Sequence, residues 1–336
     1  MGKNKLNFLG AFFVIIVIAV LLYREKNWIL ATKDSIGSSQ TEKIDYERNY
    51  DERDDLSMFS FAILGDSRQF IENKGKNLLS SVKNIEETNV DLVFTVGDMI
   101  PECNDEKKCA NAFNLWKKNV KPLLPMTYEI QGNYDRSGGD KADVIWRNEF
   151  DLPLNGPDGY DELTYSFNFG NSHFVVLDTE KPKEHRVSET QLDWLDYDLE
   201  SNSSKENIFV FFHEPAFPVD SEVGDSLDAN LRDKNKLWSI LDSHNVTAVF
   251  NGHENIFSRR SIDKDIFPGA RNSIWQFVVG NTDAPLEKAK DKNQADFVYS
   301  ERHYAIVAIE GKNITLNLYT PEGTLVHSFS FSKEEN

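Results

Sequence analysis

A chain of 336 residues, 40% of them hydrophobic, is long enough for one large domain or two modest ones and has the composition of a folded protein. Its formal charge of -18 leaves no basic surplus to exchange for counterions, so no nucleic-acid polymer is expected as a partner. A small anionic substrate stays open if its site is locally positive, for example through bound metal.

The chain opens MGKNKLN and runs into the uncharged stretch FLGAFFVIIVIAVLLY, Phe8 to Tyr23. With Leu6, Asn7 and tilted ends counted, the run approaches the roughly 20 residues that span a bilayer. No small-x-small cleavage site follows Tyr23, so residues 1–5 are expected to be a short cytoplasmic end and 6–23 a transmembrane signal-anchor. A cleaved export signal and a buried helix are the alternatives. Lys3 and Lys5 precede the run, whereas Arg24 and Lys26 are partly offset by Glu25, a slight bias toward an exported body. The expectation is a single-pass protein, partnered with the membrane through its N-terminal helix, with an extracytoplasmic C-terminal domain or a cleaved and secreted form. Residues 24–56, polar and charge-dense, read as a tether, or as a peripheral helix around IDYERNYDERDD.

From 57 to 332 the pattern is that of a folded domain. Strands are predicted over 58–64 and 91–96, and a helix over 73–87 carries Leu78, Val82 and Ile85 on one stripe. A further helix is expected at 112–117 and a strand at 126–131, which gives α/β order. LTYSFNFG and SHFVVLDT then read as a hairpin. Ser188 and Gln191 make a capping-box pattern ahead of Leu192, Leu195 and Leu199, which predicts a helix over 189–200. Buried strands follow at 207–212 and 246–250, with a helix across DKNKLWSIL between them. SIWQFVVG, HYAIVAIE, NITLNLYT and TLVHSFSF close the chain as strands, and no fixed-period repeat is present.

The two cysteines, Cys103 and Cys109, stand in PECNDEKKCAN. A short-loop disulfide and two free structural thiols both remain open, because sequence spacing does not fix the Cα separation. Alone they are two ligands short of a zinc site.

Polar residues able to hold metal fall just beyond the predicted strands. FAILGD ends at Asp66, LVFTVGD at Asp98, TYEIQGNYD brings Asn133, IFVFFHE brings His213, and VTAVFNGHEN brings His253 and Asn255. In an α/β sheet such carboxyl edges form the crevice where sites assemble. Singly, a strand-end Asp is as readily a turn or helix cap and a lone His a structural residue. Together, independent turns do not require two Asp, an Asn and two His in convergent places.

These segments resemble the calcineurin-like metallophosphoesterases. The family pattern is D-x-H, G-D, G-N-H-D/E, a strand-end H and G-H-x-H. Here it stands as Gly65-Asp66-Ser67-Arg68, Gly97-Asp98, Gly132-Asn133-Tyr134-Asp135, His213 and Gly252-His253-Glu254-Asn255. The likeness extends over most of Phe59 to Thr320. It implies an α/β four-layer sandwich, two central mixed β-sheets flanked by helices, with a site for one or two divalent ions (Mn, Fe, Zn, Mg or Ca). Carried across, Asp98 bridges two metals, Asn133, His213 and His253 complete one site, and Asp66 with Asn255 serves the other.

Three positions depart from the pattern. Arg68 and Asn255 stand where histidines do in the family, and Arg offers no lone pair while Asn offers only a neutral carbonyl. Tyr134 replaces a histidine that assists catalysis; it is expected either to donate a hydrogen bond there or to stack at the rim. Arg68 either clamps phosphate or pairs with Asp66. The resemblance thus implies hydrolysis of a small phosphomonoester or phosphodiester by metal-activated water, with a metal-containing but weak or inactive phosphate-binding or sensing protein as the alternative.

Overall fold

In the computed structural model residues 44, 46–48, 56–71, 74–287 and 294–333 are described. Apolar strands without alternation demand cover on both faces, and two stacked sheets with outer helices supply it. The first sheet is built on β1 (Met58–Leu64), flanked by β2 (Leu92–Thr95), then β3 (Thr127–Tyr128), all parallel. On its other side β1 pairs antiparallel with β11 (Tyr304–Glu310), followed by β12 (Asn313–Tyr319) and β13 (Leu325–Ser332) as a meander. The second sheet is β4 (Tyr165–Phe169), β5 (Ser172–Val176), β6 (Asn207–Phe211), β7 (Ala248–Asn251), β9 (Ile274–Val279), β8 (Phe257–Ile262) and β10 (Phe297–Tyr299), in that spatial order. Its central four, β5, β6, β7 and β9, run parallel.

Phenylalanines fill the space between the sheets. Phe61 of β1, fully buried, meets the rings of Phe94, Phe174, Phe209, Phe211 and Phe250 edge-on at 5.5–6.0 Å, a favoured geometry for aromatic pairs. Phe94 and Phe211 stack across the interface at 4.1 Å. Because side chains alternate along a strand, Ile208 and Val210 of β6 point the other way, into a second core. There they meet Leu192, Leu195 and Leu199 of α4 (Glu189–Ser201) and Leu237, Trp238 and Leu241 of α5 (Leu231–Ser243). On the first sheet's side stand α1 (Lys76–Thr88), α2 (Glu106–Val120) and α3 (Asp140–Glu149).

The predicted elements hold with small shifts at their ends. β1 matches its expected span, and Ser188 caps α4 by accepting from the Gln191 N–H. Gln191 does not return the bond: its buried amide joins Thr164, the Asp178 backbone N–H and the Asp178 carbonyl instead. β3 shrinks to two residues, α2 is longer than the expected 112–117, and α3, β8 and β10 were not anticipated. Cys103 and Cys109 are joined in a disulfide, 4.6 Å between their Cα atoms, at the N-terminal end of α2. Within the stretch read as a tether, Arg48 is buried against the domain and pairs with buried Glu129 at 3.0 Å.

The membrane reading requires correction. No helix among the described residues is long and apolar enough to cross a membrane. The longest of them, α2, has 15 residues against the roughly 20 required, and it carries a lysine-rich polar face. The stretch 6–23 expected as signal-anchor lies outside the described residues. The transmembrane topology, the membrane as partner and the extracytoplasmic location are therefore not carried forward.

Two stability measurements follow from these contacts. Phe61→Ala removes the ring on which five others converge and should cost about 3–5 kcal/mol in urea unfolding. His303 is buried, packs edge-on to Phe257 and has its pKa pushed down by burial to about 4. Below pH 6.5 the unfolded chain therefore takes up a proton that the folded one refuses until about pH 4, so stability is lost across that window as pH falls. The stability advantage of wild type over His303→Asn should accordingly shrink by about 3 kcal/mol between pH 7 and pH 4. A constant gap would contradict a neutral buried imidazole.

Candidate metal centre

The carboxyl ends of β1, β2 and β3 in one sheet and of β6 and β7 in the other meet along a single edge. Asp66 follows β1, Asp98 follows β2, Asn133 follows β3, His213 follows β6, and His253 and Asn255 follow β7. Three of these residues adopt left-handed backbone conformations that non-glycine residues avoid: Asp66 at φ 46°, Asp98 at φ 54° and His253 at φ 70°. Such strain, of order 1–3 kcal/mol each, persists only where surroundings impose it. Here they do. The His253 N–H donates to both Asp66 carboxylate oxygens at 3.2 Å, the Ser67 N–H to the Asp98 carbonyl at 3.0 Å, and the Tyr134 N–H to Asp98 Oδ1 at 3.0 Å.

Close backbone approach completes the cradle. A Cβ on Gly132 would lie 2.5 Å from both the backbone nitrogen and Oδ1 of Asp98, and 2.9 Å from the His213 ring. Buried Asp135 fastens the same loops together, accepting from the N–H groups of Met99 and Ile100 through one oxygen and from that of Gly132 through the other. Glu254 is buried and accepts from the N–H groups of Val219 and Asp220. Glu214 meets His185 rather than a candidate metal ligand.

The imidazoles are aimed by their outer nitrogens. His213 Nδ1 lies 2.6 Å from the Val96 carbonyl, which can only accept, so Nδ1 carries the proton and Nε2 presents a lone pair. That lone pair faces Asn133 Oδ1 at 3.0 Å, Asp98 Oδ1 at 3.4 Å and His253 Nδ1 at 3.3 Å. His253 Nε2 donates to the Asp225 carbonyl at 2.8 Å, which leaves its Nδ1 a lone pair as well. Burial pushes the pKa of His213 down to about 3 and that of His253 to about 4, the latter aided by neighbouring His213, so both rings are neutral at pH 7. Asp66, Asp98 and His213 have donor atoms within 4.8 Å of one another and could hold a metal ion.

This half of the site suits a cation. Acceptors face acceptors at 3.0–3.4 Å, an arrangement that repels until positive charge enters between them. Nitrogens bound to one tetrahedral zinc at roughly 2.0–2.1 Å stand about 3.4 Å apart, close to the separation of His213 Nε2 and His253 Nδ1.

The other half is different. Arg68 Nη1 donates to Asp98 Oδ2 at 3.1 Å, Asn255 Oδ1 at 3.2 Å and Asp66 Oδ1 at 3.4 Å. The guanidinium lies 4.4 Å over the Tyr134 ring, so Tyr134 takes the stacking arrangement. Asn255 is oriented by donating through Nδ2 to Glu287 Oε1 at 2.7 Å. Burial raises the Asp66 pKa, with Asp98 adding to the rise and Arg68 opposing it. Burial also raises Asp98, against Arg68 and His253.

All eight residues singled out from the sequence thus gather in one place. Sequence reading missed the carbonyls of Val96 and Asp225 and the carboxylate of Glu287, because backbone carbonyls leave no residue signature and Glu287 follows no strand.

The family model for calcineurin-like phosphoesterases matches residues 59–257, more than half of the chain, and the chain belongs to that family. Among solved structures it resembles purple acid phosphatase PPD1 from yellow lupin (Lupinus luteus) seeds, with TM-score 0.67 and 17% identity over 82% of this chain and 54% of that one. It thus spans about half the length of the lupin protein. PhoD aligns with TM-score 0.69 and 14% identity over 84% of this chain and 71% of that one. GAP50, the anchor in the inner membrane complex of Plasmodium, aligns with TM-score 0.62 and 14% identity over 82% and 89%. At these identities the likeness speaks for the fold. No curated protein matches the chain.

Gly132→Ala tests the cradle directly. Its methyl group should push Asp98 from the His213 ring, weakening Mn²⁺ or Zn²⁺ binding at least tenfold by calorimetry while circular dichroism stays native. Unchanged affinity would contradict the close packing.

Proposed function

We propose that this protein is a metal-dependent phosphoesterase whose catalytic ion is held by Asp98, Asn133, His213 and His253. One observation carries the reading: two neutral imidazole nitrogens, an amide oxygen and a buried carboxylate turn lone pairs toward one small space, a donor set that a divalent cation would satisfy. The nitrogen donors favour Zn or Fe over Mg or Ca, and the oxygen donors beside them also suit Mn. A bound divalent ion supplies Lewis-acid activation of water and of a phosphoryl oxygen.

The chain's own residues do the rest. Val96 and Asp225 fix the tautomers of His213 and His253 through their carbonyls, so neither ring has to reorganise. Arg68 is a permanent positive charge beside the ion, with the planar geometry that pairs with phosphate oxygens, and Tyr134 holds its plane. Ser67 is no covalent nucleophile: its hydroxyl accepts from the Trp116 indole N–H at 3.1 Å and donates to the Met99 carbonyl at 3.4 Å, with no base beside it. Water is left as the attacking group, and the substrate is a small phosphomonoester or phosphodiester.

A second reading, a metal-containing phosphate binder or sensor with little turnover, is favoured by the engagement of Arg68 with Asp66, Asp98 and Asn255. Assays on p-nitrophenyl phosphate and bis(p-nitrophenyl) phosphate with Mn²⁺ or Zn²⁺ separate the two. The hydrolase reading predicts turnover that falls at least 100-fold in His213→Ala and Asp98→Asn together with metal binding. Metal binding and vanadate affinity without turnover would replace it by the binder.

A further inference from the structure

We propose that the Arg68 guanidinium permanently fills the first of the two cation positions of this site, so that the chain binds one divalent ion where the complete donor pattern would bind two. The inference deepens the hydrolase reading and takes from it only the ion placed by the imidazoles.

Three oxygens from three separate loops converge on a single nitrogen. Asp66 comes from the loop after β1, Asp98 from that after β2 and Asn255 from that after β7, and each lies 3.1–3.4 Å from Arg68 Nη1. These are hydrogen-bond separations, whereas oxygens around a divalent metal close to roughly 2.0–2.6 Å. The pocket is therefore spaced for a guanidinium. Arginine is also fixed in place: its side chain is 12% exposed, its plane rests on Tyr134, and its neighbour Ser67 is bound to the Asp98 carbonyl and the Trp116 indole.

Sharing is unfavourable. A second divalent ion would compete with Arg68 for the oxygens of Asp66, Asp98 and Asn255, and would sit against a charge that cannot be removed by deprotonation. Asn255 adds a neutral carbonyl where a metal site would gain an imidazole, which weakens the donor set for a transition ion but suits a hydrogen-bond donor. The two departures from the family pattern thus answer one another. Arg68 brings a donor to a place lined with acceptors, and Asn255 is the acceptor it meets.

The test counts ions. Wild type, Arg68→Lys, Arg68→Ala and the double variant R68H/N255H are equilibrated with excess Mn²⁺, and bound manganese per folded chain is measured by equilibrium dialysis with elemental mass spectrometry. The expected result is one ion in wild type and Arg68→Lys, and one more in Arg68→Ala. Should Arg68→Ala fail to fold, because Asp66 and Asp98 lose their counter-charge, R68H/N255H decides, since it supplies two imidazoles in place of the guanidinium. Equal counts in wild type and the arginine-free variants overturn the inference. A wild type with no ion, and variants that gain one, would support the role of Arg68 while removing the hydrolase reading.

Discussion

Two carboxylates, Asp66 and Asp98, are buried where the ends of two sheets meet, and their negative charge needs compensation that water cannot reach to provide. Most of the local structure serves that requirement. Left-handed backbone at Asp66, Asp98 and His253 turns their groups inward, and glycines at 132 and 252 let loops approach within contact of the carboxylates. Arg68 supplies part of the compensating charge, and the ion proposed between His213 and His253 would supply the rest. Neither source alone accounts for the arrangement, since Arg68 leaves the imidazole half with acceptors opposed to acceptors.

The phenylalanine core gives this edge its rigidity. Phe61 and Phe94 come from the strands that carry Asp66 and Asp98, and Phe211 and Phe250 from those that carry His213 and His253. Sheet-to-sheet packing therefore sets the distance between the carboxylate and imidazole halves. The loops are fastened separately, by Asp135 on one side and Glu254 on the other, so that two buried carboxylates position backbone rather than metal.

Much of this was legible in the sequence because buried parallel strands write a plain signal: a run such as LVFTV, a glycine, then a polar residue whose burial would otherwise be unfavourable. That signal located Asp66, Asp98 and His253, and the same apolar run without the glycine located His213. The parts that were not legible depend on tertiary contact. α3 was missed because Asp140 to Glu149 is rich in charge, and two of its buried positions, Asp143 and Glu149, are themselves acidic. Arg48 looked like tether because the partners that explain its burial, Glu129, the Asp151 carbonyl and the Tyr128 ring, lie far along the chain. The hydrogen bond from Arg68 to Asn255 was not legible, because the Asn255 carbonyl could be oriented only once Glu287 was seen to hold its amide. The expectation of a membrane anchor came from an apolar run, its flanking charges and the lack of a cleavage site, none of which folds the segment.

The account stands on a cation lodged between the two imidazoles. Crystals grown with Mn²⁺ or Zn²⁺ and measured at the metal's absorption edge would locate it by anomalous scattering. The account predicts a peak within bonding distance of His213 Nε2, His253 Nδ1, Asn133 Oδ1 and Asp98, with Arg68 undisturbed beside it. Density confined to the Asp66 and Asn255 side with Arg68 displaced, or no peak among these residues at saturating metal, would contradict it.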